Sequence, residues 1–467
     1  MKVLFIFDAS SLDQEPLGMM HISALLKQCG HTCEALNLAE CKDLVAAVRE
    51  RDPQLLAFSV VTGPHQRLVR ASQEIRKELA IPSIFGGPHP SYFPELIEQD
   101  GVDIICRGEG EYPMLELAEA LESGKEYANI LNLWIKRDGQ IYRNPVRPFM
   151  QDLDSLPWPD REVFNEFLNL HVEDTRYFMG GRGCPYDCTF CFNHVAKNLA
   201  EGRYVRWRSV EDLIKELKAV REQYDMRFVN FQDDTFVLKV DWLEEFSPLY
   251  RREIGLPFLC HVRANLVSDH MSRLLADAGC VHVGMGLEAG NDHMRNVVLK
   301  KNVTREQLIN ACRSLQAHGI TVSTQNMFGL PFETIDTVLD TIELNIACRP
   351  ERTNLFFYVP YPRTQLAQIA IDAGFFRAEG LDSLPEIFTT EFSSVNLTLA
   401  NARQIEQLAK LTRFCVHFPV FFPIIRFIFK RPGGNWLKTV VLRTLLFLQG
   451  IYTRIAGGSI RLARPRK

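Results

Sequence analysis

The end of this sequence has almost no acid. Beyond Glu406 there is no Asp or Glu, while residues 407–467 hold twelve Lys or Arg. Because the 467-residue chain carries a net charge of −4, its first 406 residues carry −16. A membrane-spanning run is missing too. The longest uncharged stretch of the tail, Phe414–Ile425, has twelve residues and two prolines, too few to cross a bilayer. The apolar run of five in MKVLFIFDASS is too short for a signal peptide and reads as a first β-strand. No G-x-G-x-x-G follows that strand, which argues against a dinucleotide site. Twelve cysteines in a chain this long are no disulfide scaffold. Cys29, Cys33, Cys106, Cys260, Cys280 and Cys312 stand singly in apolar stretches, as buried reduced thiols do, and a reducing cytoplasm fits. Hydrophobic content of 46% with 24% charged residues excludes disorder, and the length predicts two or three domains.

What is present is a strand–helix rhythm. KVLFIF, CEALNL, LLAFSVV, PSIFGG and VDIIC are each followed by a helical pattern, near Gly18–Cys29, Cys41–Arg51, His65–Leu79, Tyr92–Gln99 and Glu111–Leu121. Such alternation predicts an α/β doubly wound parallel sheet over 1–140, with its ligand at the carboxyl ends of the strands. Those ends carry SVVTGP (Ser59–Pro64), GGPHPS (Gly86–Ser91) and RGEGE (Arg107–Glu111), any of which alone is explicable as a turn. LNLWIKRDGQIYRN predicts a hairpin on an Asp-Gly turn, and proline-bearing DSLPWPDRE lies in a linker over 141–170. Six further βα units over 171–375 predict a partial, open barrel. A C-terminal helical, basic and apolar region follows over 376–467.

Within GRGCPYDCTFC, Cys184, Cys188 and Cys191 are spaced C-x3-C-x2-C. Three thiolates on one loop fill neither the tetrahedral shell of a structural zinc nor all four irons of a cubane. Three unrelated cysteines, or a zinc site completed elsewhere, remain the competing readings. The spacing resembles the signature of the radical S-adenosylmethionine superfamily. There three cysteines hold a [4Fe–4S] cluster whose fourth iron chelates the cofactor, and an electron from the cluster yields a 5′-deoxyadenosyl radical. GMGLEAG (Gly284–Gly290) and FGLPFE (Phe328–Glu333) are similar to later segments of the same family. The resemblance implies that Phe190, Arg263, Glu288, Gln325 and Asp233 contact S-adenosylmethionine. For Arg263 the added reason is that a guanidinium matches a carboxylate bidentately. Asp233 also has a plainer reading as a helix cap after FVNFQDD.

SVVTGP, GGPHPS and RGEGE, ahead of such a domain, resemble the cobalamin-binding domain of the B12-dependent radical S-adenosylmethionine enzymes, a likeness covering roughly residues 1–375. It implies cobalamin contacts at Ser59, Thr62, Gly86, Gly87, His89, Gly108, Glu109 and Glu111. The sequence departs from methionine-synthase-like domains in having no D-x-H-x-x-G. Base-off cobalamin is therefore expected, with His89 on the nucleotide tail or capping a helix.

The resemblance implies methyl transfer to an unactivated carbon, with a reductant such as flavodoxin or ferredoxin. The alternative is radical-driven oxidative cyclisation, as in the anaerobic cyclase of bacteriochlorophyll synthesis. A non-catalytic cobalamin carrier is disfavoured by the complete cysteine triplet. The basic, aromatic tail has two readings, an interfacial segment meeting anionic headgroups at the inner face of the membrane or a cap on the barrel. The first favours an apolar or lipid-like substrate. Nucleic acid is not expected, given the acidic remainder of the chain.

Overall fold

The computed structural model describes residues 1–8, 15–164, 167, 174–376, 398–431, 433 and 435–455. The remaining parts of the expected linker and C-terminal region lie outside the described residues.

Apolar runs bounded by Gly and Pro become β1 (Lys2–Phe7), β2 (Thr32–Asn37), β3 (Leu55–Ser59), β4 (Ser83–Gly86) and β5 (Ile104–Cys106). They pair in parallel in the order β2-β1-β3-β4-β5. Val3 to Phe7 are all buried, as a strand covered on both faces requires, and a separate apolar cluster packs on each face. The expected hairpin joins the edge of the expected parallel sheet, which makes the whole sheet mixed. β6 (Leu133–Arg137) and β7 (Gln140–Arg143) add antiparallel to β5. Asp138 and Gly139 both take positive φ, 51° and 74°, the two-residue turn that folds one strand onto the next. The helix expected over Tyr92–Gln99 is instead a short helix, Pro88–Tyr92, and a 3-10 turn, Pro94–Glu98. Pro94 offers no N–H and disfavours the helical conformation of Phe93.

The second sheet begins with β8 (Thr175–Phe178). A small ladder of β9 (Gly181–Arg182) and β10 (Arg206–Trp207) stands beside it. β11 (Phe228–Phe231), β12 (Phe258–Val262), β13 (Cys280–Glu288), β14 (Thr321–Phe328) and β15 (Arg352–Phe357) complete an open, six-stranded parallel sheet, β15-β14-β13-β12-β11-β8. Five of its helices start on side-chain caps: Ser209, Ser268, Thr304, Thr334 and Thr364 each accept from a backbone N–H of the first turn.

The two sheets are locked by buried charge. Arg161 donates to Glu216 at 2.9 Å and lies 3.6 Å from Glu15, whose carboxylate also accepts from Tyr177 N at 2.8 Å. Arg208 also pairs with Glu216. Helices Ala402–His417, Phe422–Lys430 and Asn435–Ile455 are the last among the described residues. Phe414, Phe422, Ile425 and Phe429 pack with Phe328, Leu330 and Phe357 of the barrel, so the cap reading holds for the inner faces. No helix among the described residues is long and apolar enough to cross a membrane.

Candidate functional site

The cysteine loop is held at its neck by the β9–β10 ladder. A Cβ on Gly183 (φ 89°) would stand 2.6 Å from Tyr204 O, so only glycine admits that turn. Farther along, Thr189 is pinned from three directions. Its N–H donates to Leu299 O at 3.1 Å, its hydroxyl to Val298 O at 2.8 Å, and its carbonyl accepts from Leu366 N at 2.9 Å.

Around the cysteines the donor set fits a thiolate-held cluster. Cys191 Sγ accepts from Asn193 N at 3.5 Å and Asn193 Nδ2 at 3.4 Å, and Cys188 Sγ accepts from Arg263 Nη1 at 3.5 Å. Burial pushes the Cys191 thiol up to about 11 and raises Cys184 as well, so iron rather than the loop would have to displace their protons. Among the described residues no three His, Cys, Asp or Glu side chains are placed to share one ion. Thiolates on three different irons of a cubane stand farther apart than ligands of a single ion.

Arg263 is buried without a carboxylate partner. Its guanidinium lies over the Tyr186 ring, 3.6 Å from the centroid, and donates to Lys301 O, while Nε has no partner. Asn265, which the sequence reading passed over, donates to Tyr186 Oη at 3.3 Å and leaves its Oδ1 unpartnered. The signal was present as the polar residues ending HVRAN. A buried donor and a buried acceptor left unpaired beside the cysteines suit a zwitterionic ligand, the carboxylate and amino ends of S-adenosylmethionine.

Glu288 ends β13 at φ 64°, where the pairing register with β14 shifts, and receives Lys301 Nζ at 3.1 Å. A left-handed glutamate at a bulge is the kind of strain that concentrates at functional sites. A Cβ on Gly286 would fall 2.2 Å from Glu288 Oε1, so the glycine makes room for this pair. Gln325 lies half-buried opposite Gly286, and Phe190 packs against the apolar cluster shared with the C-terminal helices.

Asp233, by contrast, is buried beneath the loop, accepting from Gly180 N at 2.9 Å, and burial pushes its carboxyl up to about 7. Its neighbour Asp234 is the member of the pair that lines the cavity described below. Glu333 of FGLPFE is buried, accepts from Gly329 N and Leu330 N, and is pushed up to about 8 by burial. Both carboxyls bind protons more tightly folded than unfolded, so the stability they favour at acidic pH is lost as pH rises from about 4 towards 8. Glu333→Gln is expected to flatten that decline by up to about 1.4 kcal/mol per pH unit, read from unfolding midpoints at pH 5 to 8. An unchanged pH profile would contradict this assignment.

In the first sheet, Ser59, Gly86, Gly87, Gly108, Glu109 and Glu111 line one wall of a cavity of about 370 Å³. Arg182, Gln232 and Asp234 of the second unit line the opposite wall. A Cβ on Gly87 (φ 97°) would stand 3.0 Å from Val60 O, so glycine allows a backbone approach that other residues would strain. Thr62 and His89 do not line the cavity. His89 is buried, meets the Thr62 hydroxyl at 3.0 Å through Nδ1 and stacks on His65 at 4.0 Å. Burial, then His65 and Arg363, lower it to about 3, so its ring is neutral. Glu109 and Glu111, expected as cobalamin contacts, are held by arginines of the β9–β10 ladder at the neck of the cysteine loop. Arg182 donates to Glu109 at 2.9 Å and to Glu111 at 2.7 Å, and Arg206 donates to Glu109 at 2.9 Å. This contact across 71 residues fixes the strand ends of one sheet against the cysteine loop of the other.

Comparison with known proteins gives the same division. The B12 binding domain family matches residues 4–118, and the Radical SAM superfamily matches residues 179–344. An uncharacterized methyltransferase of Pyrococcus horikoshii is 27% identical over 369 residues, covering 76% of this chain and 78% of the relative. The anaerobic magnesium-protoporphyrin IX monomethyl ester cyclase of Rubrivivax gelatinosus is 27% identical over 373 residues, 76% of this chain and 66% of the relative. A hopanoid C-3 methylase of Methylococcus capsulatus is 23% identical over 378 residues, 75% and 68% respectively. Among solved structures, the radical S-adenosylmethionine methyltransferase TsrM of Kitasatospora setae shares the fold, with TM-score 0.66 and 20% identity over 80% of this chain and 79% of that one. A B12 binding domain and a Radical SAM domain in this order, facing one cavity, place the chain among the cobalamin-dependent radical S-adenosylmethionine enzymes, whose cofactors are a [4Fe–4S] cluster, S-adenosylmethionine and cobalamin.

Proposed function

We propose that this enzyme methylates an unactivated carbon of an apolar or lipid-like substrate. The observation that carries the reading is the shared cavity, walled by the strand ends of the first sheet and by Arg182, Gln232 and Asp234 beside the cysteine loop. When bound, the cluster with S-adenosylmethionine supplies a radical able to take hydrogen from carbon, and cobalamin supplies a methyl group. Cys184, Cys188 and Cys191 hold the first group, and Arg263 balances its negative charge from the Cys188 side. Arg263 Nε and Asn265 Oδ1 orient the amino-acid end of S-adenosylmethionine, and Glu288, set by Lys301, and Gln325 stand along the neighbouring strand ends. Ser59, Gly86, Gly87 and Gly108 keep one cavity wall low enough for a flat macrocycle to lie against backbone. Phe5, Phe58, Ile84 and Met114 deepen that wall with apolar surface, which excludes water from a reactive carbon.

Two relatives support the substrate class, since one is named for a hopanoid and another for a porphyrin ester. The apolar, basic composition of the end of the chain supports a substrate met at the inner face of a membrane, and flavodoxin or ferredoxin suits the role of electron donor. The cyclase relative favours one alternative, ring formation without net methyl transfer.

Product stoichiometry separates the two. A methylase consumes two S-adenosylmethionine per turnover, giving 5′-deoxyadenosine and S-adenosylhomocysteine in near-equal amounts, with label from the methyl group in the product. Deoxyadenosine without S-adenosylhomocysteine would replace methylation by the cyclase reading.

A further inference from the structure

The last two helices are apolar on both sides, and only one side is used. In helix Asn435–Ile455, Leu442 and Leu445 pack inward on the barrel's apolar cluster, and Thr439 accepts from Gln407 Nε2 at 3.2 Å. On the opposite side Trp436 is 77% exposed and Phe447 68%, and Val440 lies between them on the same stripe. The preceding segment repeats the arrangement. Phe422, Ile425 and Phe429 are buried, whereas Val420, Ile424 and Phe427 are 75%, 58% and 57% exposed. A helix that merely capped the barrel would turn polar residues outward. Contiguous exposed aromatic and aliphatic surface of this kind marks an interaction face.

Charge identifies the occupant. The segment from residue 407 onward contributes twelve Lys or Arg and no acid, against −16 on the rest of the chain. Arg443 is exposed within the Trp436–Val440–Phe447 stripe, and Arg431 lies over the Phe427 ring, 4.0 Å from its centroid. Cations set around exposed aromatics suit a bilayer interface rich in anionic headgroups. A second copy docked face to face would set one basic surface against another. A spanning helix is not needed for this and is not found among the described residues.

We propose that the outer faces of Pro419–Lys430 and Asn435–Ile455 dock this enzyme on an anionic lipid surface, with the acidic body turned away. This rests on the apolar-substrate reading for its purpose, since docking brings the enzyme to a membrane-dissolved substrate. Arg426 and Lys430 already pair with Glu343 and Asp336 of helix Ile335–Cys348, so the informative substitutions are the outward apolar residues.

The test is flotation of the full, cofactor-loaded chain with phosphatidylcholine vesicles containing increasing phosphatidylglycerol. Bound protein should rise with phosphatidylglycerol and fall towards zero near 1 M salt, where the Debye length shrinks to about 3 Å. Trp436→Ser with Phe447→Ser should weaken vesicle binding by about ten-fold or more, with an unchanged melting temperature and unchanged deoxyadenosine formation in detergent. Three outcomes overturn the proposal: no flotation at low salt on anionic vesicles, equal flotation of the double variant, or a chain dimer that the double variant dissociates. Any of these leaves the product stoichiometry intact, so docking can fail while the methylase reading stands.

Discussion

Alanine at any one of Cys184, Cys188 or Cys191 is expected to abolish the brown iron–sulfur absorbance and all cleavage of S-adenosylmethionine, while cobalamin binding survives. The triplet has no reserve. Cys106, Cys260, Cys280 and Cys312 are buried as free thiols on the strands and helices of the two units. The surrounding contacts are also specific to each thiol, with Asn193 on Cys191 and Arg263 on Cys188, so no neighbouring side chain reproduces them. Loss of Cys188 would further leave the Arg263 guanidinium buried with no anion beside it, which is costly in a dry site. Iron content, the visible spectrum and deoxyadenosine yield measure the outcome, with cobalamin retention on gel filtration as the control. Deoxyadenosine from any of the three variants would remove the cluster from this loop.

The second large effect is expected at Arg182. It donates to Glu109 and Glu111 at once, and Glu111 is pulled below the usual carboxylate range although burial alone would raise it, with Arg182 the leading cause of the fall. Arg182→Met leaves Glu111 buried without its cation and should destabilise the chain by about 3–5 kcal/mol, the range for removing one partner of a buried pair. Glu109 suffers less because Arg206 still reaches it. Adding Glu111→Leu removes the stranded charge, so the double variant should recover most of the loss. Denaturant unfolding of the single and double variants measures both. Equal stability of wild type and Arg182→Met would mean that the carboxylates find water, not an arginine, in solution.

Much of this architecture was readable in advance because its strands are buried on both faces. KVLFIF and VHVGMGLE stand out against punctuating Gly and Pro, and Asp138-Gly139 announces its own turn. Misreadings arose where a local rule met a stronger one, as when the prolines of PHPSYFPE cut the expected helix into two short turns. Long-range pairing left no periodic trace at all. RGEGE reads as a ligand loop and its residues do line the cavity, but nothing within it points to arginines 71 and 97 residues away. The cysteine spacing was legible, but the arrangement of its neighbours was not. That Arg263 donates to a cysteine sulfur, or that Asp234 rather than Asp233 reaches the cavity, depends on how strands register. The tail showed its aromatic and basic composition plainly, yet composition does not say which face turns inward, and here one set caps the barrel while another stays exposed.

The pinning of Thr189 has a consequence for biosynthesis. The loop carrying the cysteines takes its shape only when Val298, Leu299 and finally Leu366 are in place, because each supplies or receives one of its hydrogen bonds. A ribosome adding roughly 5–20 residues per second makes Leu366 about 10–35 s after Cys191 has left the peptidyl-transferase centre. During that interval three thiols travel on an unshaped segment, open to oxidation or to stray metal. Seating of the cysteine loop is therefore a late event, completed only when the helix Gln365–Asp372 that follows the last strand has been made.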